Sequence, residues 1–140
     1  MQEQSDITLE GGCHCGAIRY RLGSMPFDSD FCHCIDCRKA TGAPFGVWMD
    51  FEQGQVSWLK DQPWQYTSSD KVRRGFCRDC GTSLTYQHLD HPDYLSLSVS
   101  TLDEPEAVSP NYHIYTGQSI AWASVDDRLP RYRAERRGDK

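Results

Sequence analysis

Three short segments carry all seven cysteines of this 140-residue chain: Cys13-His14-Cys15, Cys32-His33-Cys34-Ile35-Asp36-Cys37 and Cys77-Arg78-Asp79-Cys80. Grouped cysteines at such spacings are typical of zinc sites, in which four sulfur ligands close a tetrahedron and three leave one position for water or substrate. Seven sulfurs divide into a set of four and a set of three. The count therefore predicts two zinc ions per chain, one structural and one in an open, catalytic site.

The strongest local signal is the Cys77/Cys80 pair, which is followed by a glycine and lies between two strand-like segments. This arrangement is typical of a zinc knuckle, which supplies two ligands and requires two more from elsewhere. Two pairs of cysteines could supply these ligands: Cys13 with Cys15, or two members of the second group. Counting favours Cys13 and Cys15, because that choice leaves the second group as a complete set of three.

The second group, called the cysteine triad below, consists of Cys32, Cys34 and Cys37. It admits three interpretations: an open zinc site, a second structural zinc site closed by a histidine, and a redox cluster. The histidines considered as a fourth ligand are His14, His33 and His113. In an extended Cys-x-Cys segment the side chain of His33 points away from those of the cysteines, so it is a poor ligand. The spacing also differs from that of thioredoxin-like redox motifs, and an open site is therefore favoured.

An open site with three sulfur ligands favours sulfur chemistry over water activation. Three thiolates leave a bound zinc ion with an overall charge of about −1, which makes it a weak Lewis acid and a good partner for a soft fourth ligand. A thiol bound there would remain a thiolate near neutral pH. A thiolate adds readily to an aldehyde carbonyl, so the predicted reaction forms or breaks a carbon–sulfur bond.

The composition disfavours other classes of protein. A formal net charge of −5 opposes binding to a nucleic-acid backbone, so no nucleic-acid partner is expected. No segment approaches the ~18 apolar residues of a membrane span, and no membrane partner is expected. Residues 1–6 lack the basic start and apolar run of a signal peptide. These features predict a cytoplasmic protein, whose cysteines stay reduced and are free to bind metal.

Alternation of apolar and polar residues predicts a mostly β, single-domain protein with very little helix. The predicted strands are 17–22, 45–51, 56–59, 64–67, 73–77, 82–86, 94–100, 112–115 and 120–125. One short helix is predicted over 35–41, with Gly42 as the residue that ends it. The predicted organisation is a flexible lead-in over 1–10, a zinc-binding domain over 11–130 and a mobile basic tail over 131–140.

The residues around the cysteines resemble those of the glutathione-dependent formaldehyde-activating enzyme family. The matching segments are Gly12 to Ala17, Cys32 to Gly42 and Phe76 to Thr82, and the similarity continues into His113-Ile114 and Trp122 to Pro130. The resemblance covers nearly the whole chain from Gly11 onward. It implies an Mss4-like antiparallel β fold, with a structural zinc on Cys13, Cys15, Cys77 and Cys80 and a catalytic zinc on Cys32, Cys34 and Cys37.

The resemblance also implies an activity, the addition of glutathione to formaldehyde to give S-(hydroxymethyl)glutathione, which is classed as a carbon–sulfur lyase reaction. The expected partners are then a small thiol, glutathione or similar, and a small aldehyde. The alternative is a non-catalytic, zinc-stabilised binding module in which both zinc sites are structural.

Several other side chains are candidates for a role near the triad. Arg38 and Lys39 follow its third cysteine and are expected to contact the carboxylates of the thiol substrate. Arg73 and Arg74 precede the knuckle on a predicted strand, so at most one of them faces the site. His113 is either a proton-transfer group or an interior histidine with its hydrogen bonds satisfied.

Overall fold

The computed structural model describes residues 8–136, which form a mostly β, single-domain fold. Its helix is α1 (Ile35–Thr41). Its strands are β1 (Leu9–Gly12), β2 (Arg19–Leu22), β3 (Asp28–Cys32), β4 (Gly46–Glu52), β5 (Val56–Trp58), β6 (Trp64–Ser69), β7 (Val72–Phe76), β8 (Ser83–His88), β9 (Tyr94–Ser98) and β10 (Tyr112–Ile114). The predicted fold class is therefore confirmed.

The strands form two sheets. The smaller has the order β1-β2-β5, and the larger has seven strands in the order β10-β3-β4-β9-β8-β7-β6. The pairs are antiparallel except that β10 runs parallel to β3, which brings a segment from near the end of the chain beside the second cysteine group. Strands β1 and β3 were not predicted, and residues 120–125 form no strand.

Side chains from both sheets form the main hydrophobic core. Its fully buried members include Tyr20 and Leu22 from the small sheet and Met49, Phe51 and Leu97 from the large one. Each such side chain stabilises the fold by roughly 1.5–3 kcal/mol relative to an exposed position. The first and third cysteine groups each place one sulfur in this core, so these two segments are anchored to the centre of the domain.

Helix α1 begins within the second cysteine group and includes its third cysteine, Cys37, so the helix fixes the shape of the group. Cys34 is the N-cap, and its sulfur accepts a hydrogen bond of 3.2 Å from the backbone N–H of Cys37. Gly42 ends the helix with a φ of +70°, a conformation that glycine adopts without steric cost. The backbone N–H of Gly42 donates to the carbonyl of Arg38 at 2.8 Å. The predicted helix and its glycine end both match the structure.

Both ends of the described chain form backbone hydrogen bonds with the body of the fold. Strand β1 begins at Leu9, within the predicted lead-in. Residues 131–136 follow β10: the N–H of Tyr132 donates to the carbonyl of His113 at 2.9 Å, and Arg131 forms a parallel bridge with His113. Residues 1–7 and 137–140 lie outside the described part of the chain. No helix within residues 8–136 has the length and apolar character needed to cross a membrane.

Candidate metal centres

The first and third cysteine groups meet as one four-sulfur set, as the count predicted. The ligand atoms of Cys13, Cys15, Cys77 and Cys80 all lie within 4.8 Å of one another. Two of the separations between sulfurs are 3.6 Å (Cys13 to Cys15) and 3.8 Å (Cys15 to Cys77). A tetrahedron with zinc–sulfur bonds of about 2.3 Å has edges of about 3.8 Å, so this donor set fits zinc.

Two similar turns build this four-sulfur set. Each ends in a glycine with positive φ, +85° at Gly16 and +82° at Gly81, and each glycine N–H donates to the carbonyl of the first cysteine in its turn. Thr82 joins the two turns, because its hydroxyl accepts from the N–H of His14 at 3.0 Å and lies 3.1 Å from the sulfur of Cys80. Hydrogen bonds from Thr82 lower the pKa of Cys80 to about 5, which favours the thiolate that a metal requires.

The cysteine triad occupies the junction between β3 and α1. The ligand atoms of Cys32, Cys34 and Cys37 lie within 4.8 Å of one another, and those of Cys32 and Cys34 are 3.4 Å apart. Hydrogen bonds with Cys32 and Cys37 lower the pKa of Cys34, while hydrogen bonds with Cys34 and Cys37 raise the pKa of Cys32. Three sulfurs so close together become thiolates only around a cation, so the triad also fits a metal ion.

The triad has no fourth protein ligand within residues 8–136, since no histidine or carboxylate joins the three sulfurs at ligand distance. The side chain of His33 points away from the cysteines, as expected, and its Nε2 lies 2.8 Å from Nδ1 of His113. Nε2 of His113 in turn lies 2.9 Å from a carboxylate oxygen of Asp127. His14 lies at the four-cysteine set. The arrangement supports an open position on the triad.

The chain His33–His113–Asp127 holds the backbone between two triad cysteines in place. His33 and His113 are buried, and burial followed by the neighbouring His113 lowers the pKa of His33. Against the opposing effect of desolvation, hydrogen bonds from His113, from the N–H of Leu129 and from Arg131 lower the pKa of Asp127. His113 is thus an interior histidine with both ring nitrogens paired. Sequence reasoning missed Asp127, which lies in a loop without a recognisable pattern.

A cleft of about 680 Å³ lies beside the triad, on one face of the large sheet. Arg74 from β7 lines it and is buried, with Nη2 3.7 Å from the sulfur of Cys37. Its guanidinium lies over the ring of Tyr86, 5.1 Å from the ring centroid. The neighbouring Arg73 is exposed, which agrees with the expectation that at most one of the pair faces the site. Arg136 also lines the cleft.

The end of the cleft away from the triad is acidic. Asp28 and Asp50 are paired across β3 and β4, and they accept hydrogen bonds of 2.6 Å from Tyr112 and Ser96. Burial raises the pKa of Asp50 to about 6. Burial, followed by the charges of Asp50 and Asp28, raises the pKa of Asp30 to about 8. This face of the sheet therefore carries carboxyl groups that are costly to ionise.

The predicted substrate contacts Arg38 and Lys39 do not line this cleft. Arg38 Nη1 donates to the backbone carbonyl of Gln118 at 3.3 Å, and Lys39 is exposed. Although both residues come directly after the third cysteine in sequence, the residues of α1 that line the cleft besides Cys37 are Ile35 and Asp36. The basic residues that face the cleft come from β7 and from the segment after β10, which adjacency to a cysteine in sequence does not reveal.

Comparison with known proteins agrees with this geometry. The family model of the glutathione-dependent formaldehyde-activating enzyme matches residues 8–118. A protein of Halomonas elongata named "Putative glutathione-dependent formaldehyde-activating enzyme" is 27% identical over 137 residues, which cover 87% of this chain and 83% of the relative. A Schizosaccharomyces pombe protein named "Uncharacterized lyase" is 32% identical over 79 residues, or 56% of this chain and 57% of the relative.

The fold also has a counterpart among solved structures. A crystal structure of a Rhodobacter sphaeroides protein superposes with a TM-score of 0.57 at 22% identity, covering 72% of this chain and 91% of the other. At that identity the likeness concerns the fold alone. The match of the family model over most of the chain, with both cysteine sets assembled in space, shows that this chain belongs to the glutathione-dependent formaldehyde-activating enzyme family.

Proposed function

We propose that this protein is a zinc-dependent carbon–sulfur lyase-type enzyme that adds a small thiol, glutathione or similar, to a small aldehyde such as formaldehyde. The observation that carries the proposal is the triad: three sulfurs at ligand distance, without a fourth protein ligand in the described chain, beside a cleft of about 680 Å³. A pocket of this size accommodates a small peptide-like thiol. Membership of the family supports the same reaction.

The four-cysteine set is the structural centre in this proposal, and the triad holds the second, catalytic zinc ion. A zinc ion on the triad supplies a position at which a thiol stays deprotonated near neutral pH. Cys34 caps α1 and Arg74 lies beside Cys37, so an N–H dipole and a cation offset the charge of the thiolates. The cleft walls hold the thiol so that its sulfur meets the aldehyde carbon.

The proposed reaction is balanced without an oxidant or reductant. The carbon–sulfur bond forms as the π bond of the carbonyl breaks, and its electron pair moves to oxygen. The oxygen then takes up the proton that the thiol lost on binding, which gives the hydroxymethyl thioether. All seven cysteines are free thiols in the structure, and we propose the reducing cytoplasm as the compartment.

The test is the zinc content, melting temperature and activity of the wild type, Cys34→Ser and Cys80→Ser. The wild type should bind two zinc ions per chain. Cys34→Ser should retain one ion, lose little stability and lose the production of S-(hydroxymethyl)glutathione from glutathione and formaldehyde. Cys80→Ser should lower the melting temperature strongly, because a structural zinc contributes directly to folding.

Equal loss of folding in the two variants would show that the triad is a second structural site, and the enzyme proposal would fail in favour of the binding module. If the enzyme proposal holds, activity with a panel of thiols, some of them without carboxylates, identifies the class of thiol substrate. Cobalt substituted at the triad provides an optical signal, which changes when a thiol enters the open position.

A further inference from the structure

Three buried side-chain atoms within residues 8–136 lack a hydrogen-bond partner, and all three belong to residues that line the cleft beside the triad. They are Oδ1 of Asp30, Nε1 of Trp48 and Nη1 of Arg74. Buried polar groups are rarely left unpaired, because each costs about 1–3 kcal/mol. Their restriction to one surface indicates that a bound molecule completes the hydrogen bonding there.

The indole of Trp48 lies against the triad. Trp48 is only 4% exposed and packs in one cluster with Cys32 and Cys37. Its Nε1 lies above Gly46, where a Cβ atom would approach it to 2.5 Å. Gly46 is the cross-strand partner of Cys32, so a glycine at this position leaves room for the indole beside the first triad cysteine.

The guanidinium of Arg74 lies on the same cluster. Arg74 is 3% exposed, and Tyr86, whose ring it covers, also packs against Trp48 with 6.1 Å between ring centroids. One terminal nitrogen, Nη2, is directed at the sulfur of Cys37, while Nη1 has no partner. The indole and the guanidinium offer only donors, so the group that completes them must be a hydrogen-bond acceptor.

We propose that Trp48 Nε1–H and Arg74 Nη1–H form an oxyanion subsite that binds the aldehyde oxygen. This inference rests on the proposed function. As the carbon–sulfur bond forms, the carbonyl electron pair moves to this oxygen, and two fixed donors in a buried site stabilise the charge that develops there. The alkoxide then takes up the proton released by the thiol, and the neutral hydroxymethyl product dissociates with its new carbon–oxygen single bond intact.

The first test is nuclear magnetic resonance on the ¹⁵N-labelled, zinc-loaded protein, with formate as the probe. Formate has the size of the aldehyde and carries a full negative charge on oxygen. One indole N–H signal should move downfield on titration, and it should be the signal that is missing from Trp48→Phe. The indole N–H signal of Trp58, identified by its absence from Trp58→Phe, is the matched control. Trp58 packs on Tyr20 outside the cleft, so its signal should not move when formate is added.

The second test is kinetic. Trp48→Phe keeps the aromatic packing and removes the donor, so kcat should fall by roughly 10–1,000-fold while zinc content and the KM for the thiol stay unchanged. Arg74→Lys keeps a cation near Cys37 but loses the second donor, and it should show the same pattern. Trp58→Phe should retain the wild-type kcat.

The outcomes separate this inference from the proposed function. If glutathione alone, without aldehyde, moves the Trp48 signal as formate does, the donors bind a carboxylate of the thiol and the inference is overturned. The absence of any response to formate, or an unchanged kcat in both variants, overturns it as well. If no thiol and aldehyde react on the wild type, the proposed function fails, and the formate titration still decides whether the acceptor site exists.

Discussion

Replacement of Asp50 by asparagine should stabilise the protein at neutral pH. Burial raises the pKa of Asp50 from 3.8 to about 6. Below about pH 4 the folded and unfolded states both carry the proton; between pH 4 and 6 only the folded state keeps it. The stability contributed by this group is therefore lost as the pH rises through that window, and it stays low above pH 6.

The magnitude follows from the difference between the two pKa values. A shift from 3.8 to about 6 corresponds to about 3 kcal/mol at pH 7, and partial contact with water reduces the expected gain to about 1–2 kcal/mol. Asparagine retains an oxygen that accepts the hydrogen bond from Ser96. For a chain of this length the melting temperature should rise by roughly 3–8 °C.

The assay is urea denaturation of Asp50→Asn and wild type at pH 7 and pH 5. Both proteins contain the same cysteines, so the effect of metal binding cancels in the difference, and the gain should be about half as large at pH 5. Asp103→Asn is the control. A hydrogen bond from Arg19 lowers the pKa of Asp103, so loss of this carboxylate should decrease the free energy of unfolding instead. A gain that does not depend on pH, or a destabilised Asp50→Asn at pH 7, would refute the burial cost.

Two further predictions concern the elements that hold the metal centres. His113→Phe keeps the stacking on Phe31 but removes the hydrogen-bond partner of His33 Nε2 and of Asp127 Oδ2. The free energy of unfolding in urea should therefore fall by about 2–3 kcal/mol. Gly81→Ala places a side chain at a φ of +82°, which should lower the free energy of unfolding by about 1–2 kcal/mol and weaken zinc retention at the four-cysteine set in chelator competition. Gly54→Ala is the control, because Gly54 has open space around it and no positive φ, and it should change neither quantity. Equal behaviour of the two glycine variants would contradict the role of the turn.

Sequence reasoning predicted the parts of the fold that follow simple local rules. The helix over Ile35–Thr41 was predicted with Gly42 as its terminal residue, and the structure adds Cys34 as its N-cap. The division of seven cysteines into four and three follows from zinc chemistry alone, and the structure assembles the same two sets. Strands such as β9 alternate between apolar and polar residues because one face packs on the core.

The missed elements break those rules for physical reasons. Strand β3 reads Asp-Ser-Asp-Phe-Cys, and its aspartates resemble a loop because they face the cleft rather than the core. Strand β1 contains two glycines, one of which lies where a Cβ would clash with Tyr20. The parallel pairing of β10 with β3 depends on contacts about 80 residues apart. Local patterns therefore fail at β3, the strand that carries two aspartates of the cleft and the first triad cysteine.

The two cysteine sets offer the same ligand chemistry but differ in what surrounds them, and this difference supports the separate roles proposed for them. Around Cys13 and Cys77, the backbone turns, the core and Thr82 satisfy the neighbouring polar groups, as a site that stabilises the fold requires. Beside the triad, the cleft instead holds unpaired buried donors and carboxyl groups that are costly to ionise. If Asp50→Asn stabilises the fold and also loses turnover, the ionised carboxyl of Asp50 contributes to substrate binding at a cost in folding stability. A stabilised variant with full turnover would limit the functional surface to the donors next to the triad.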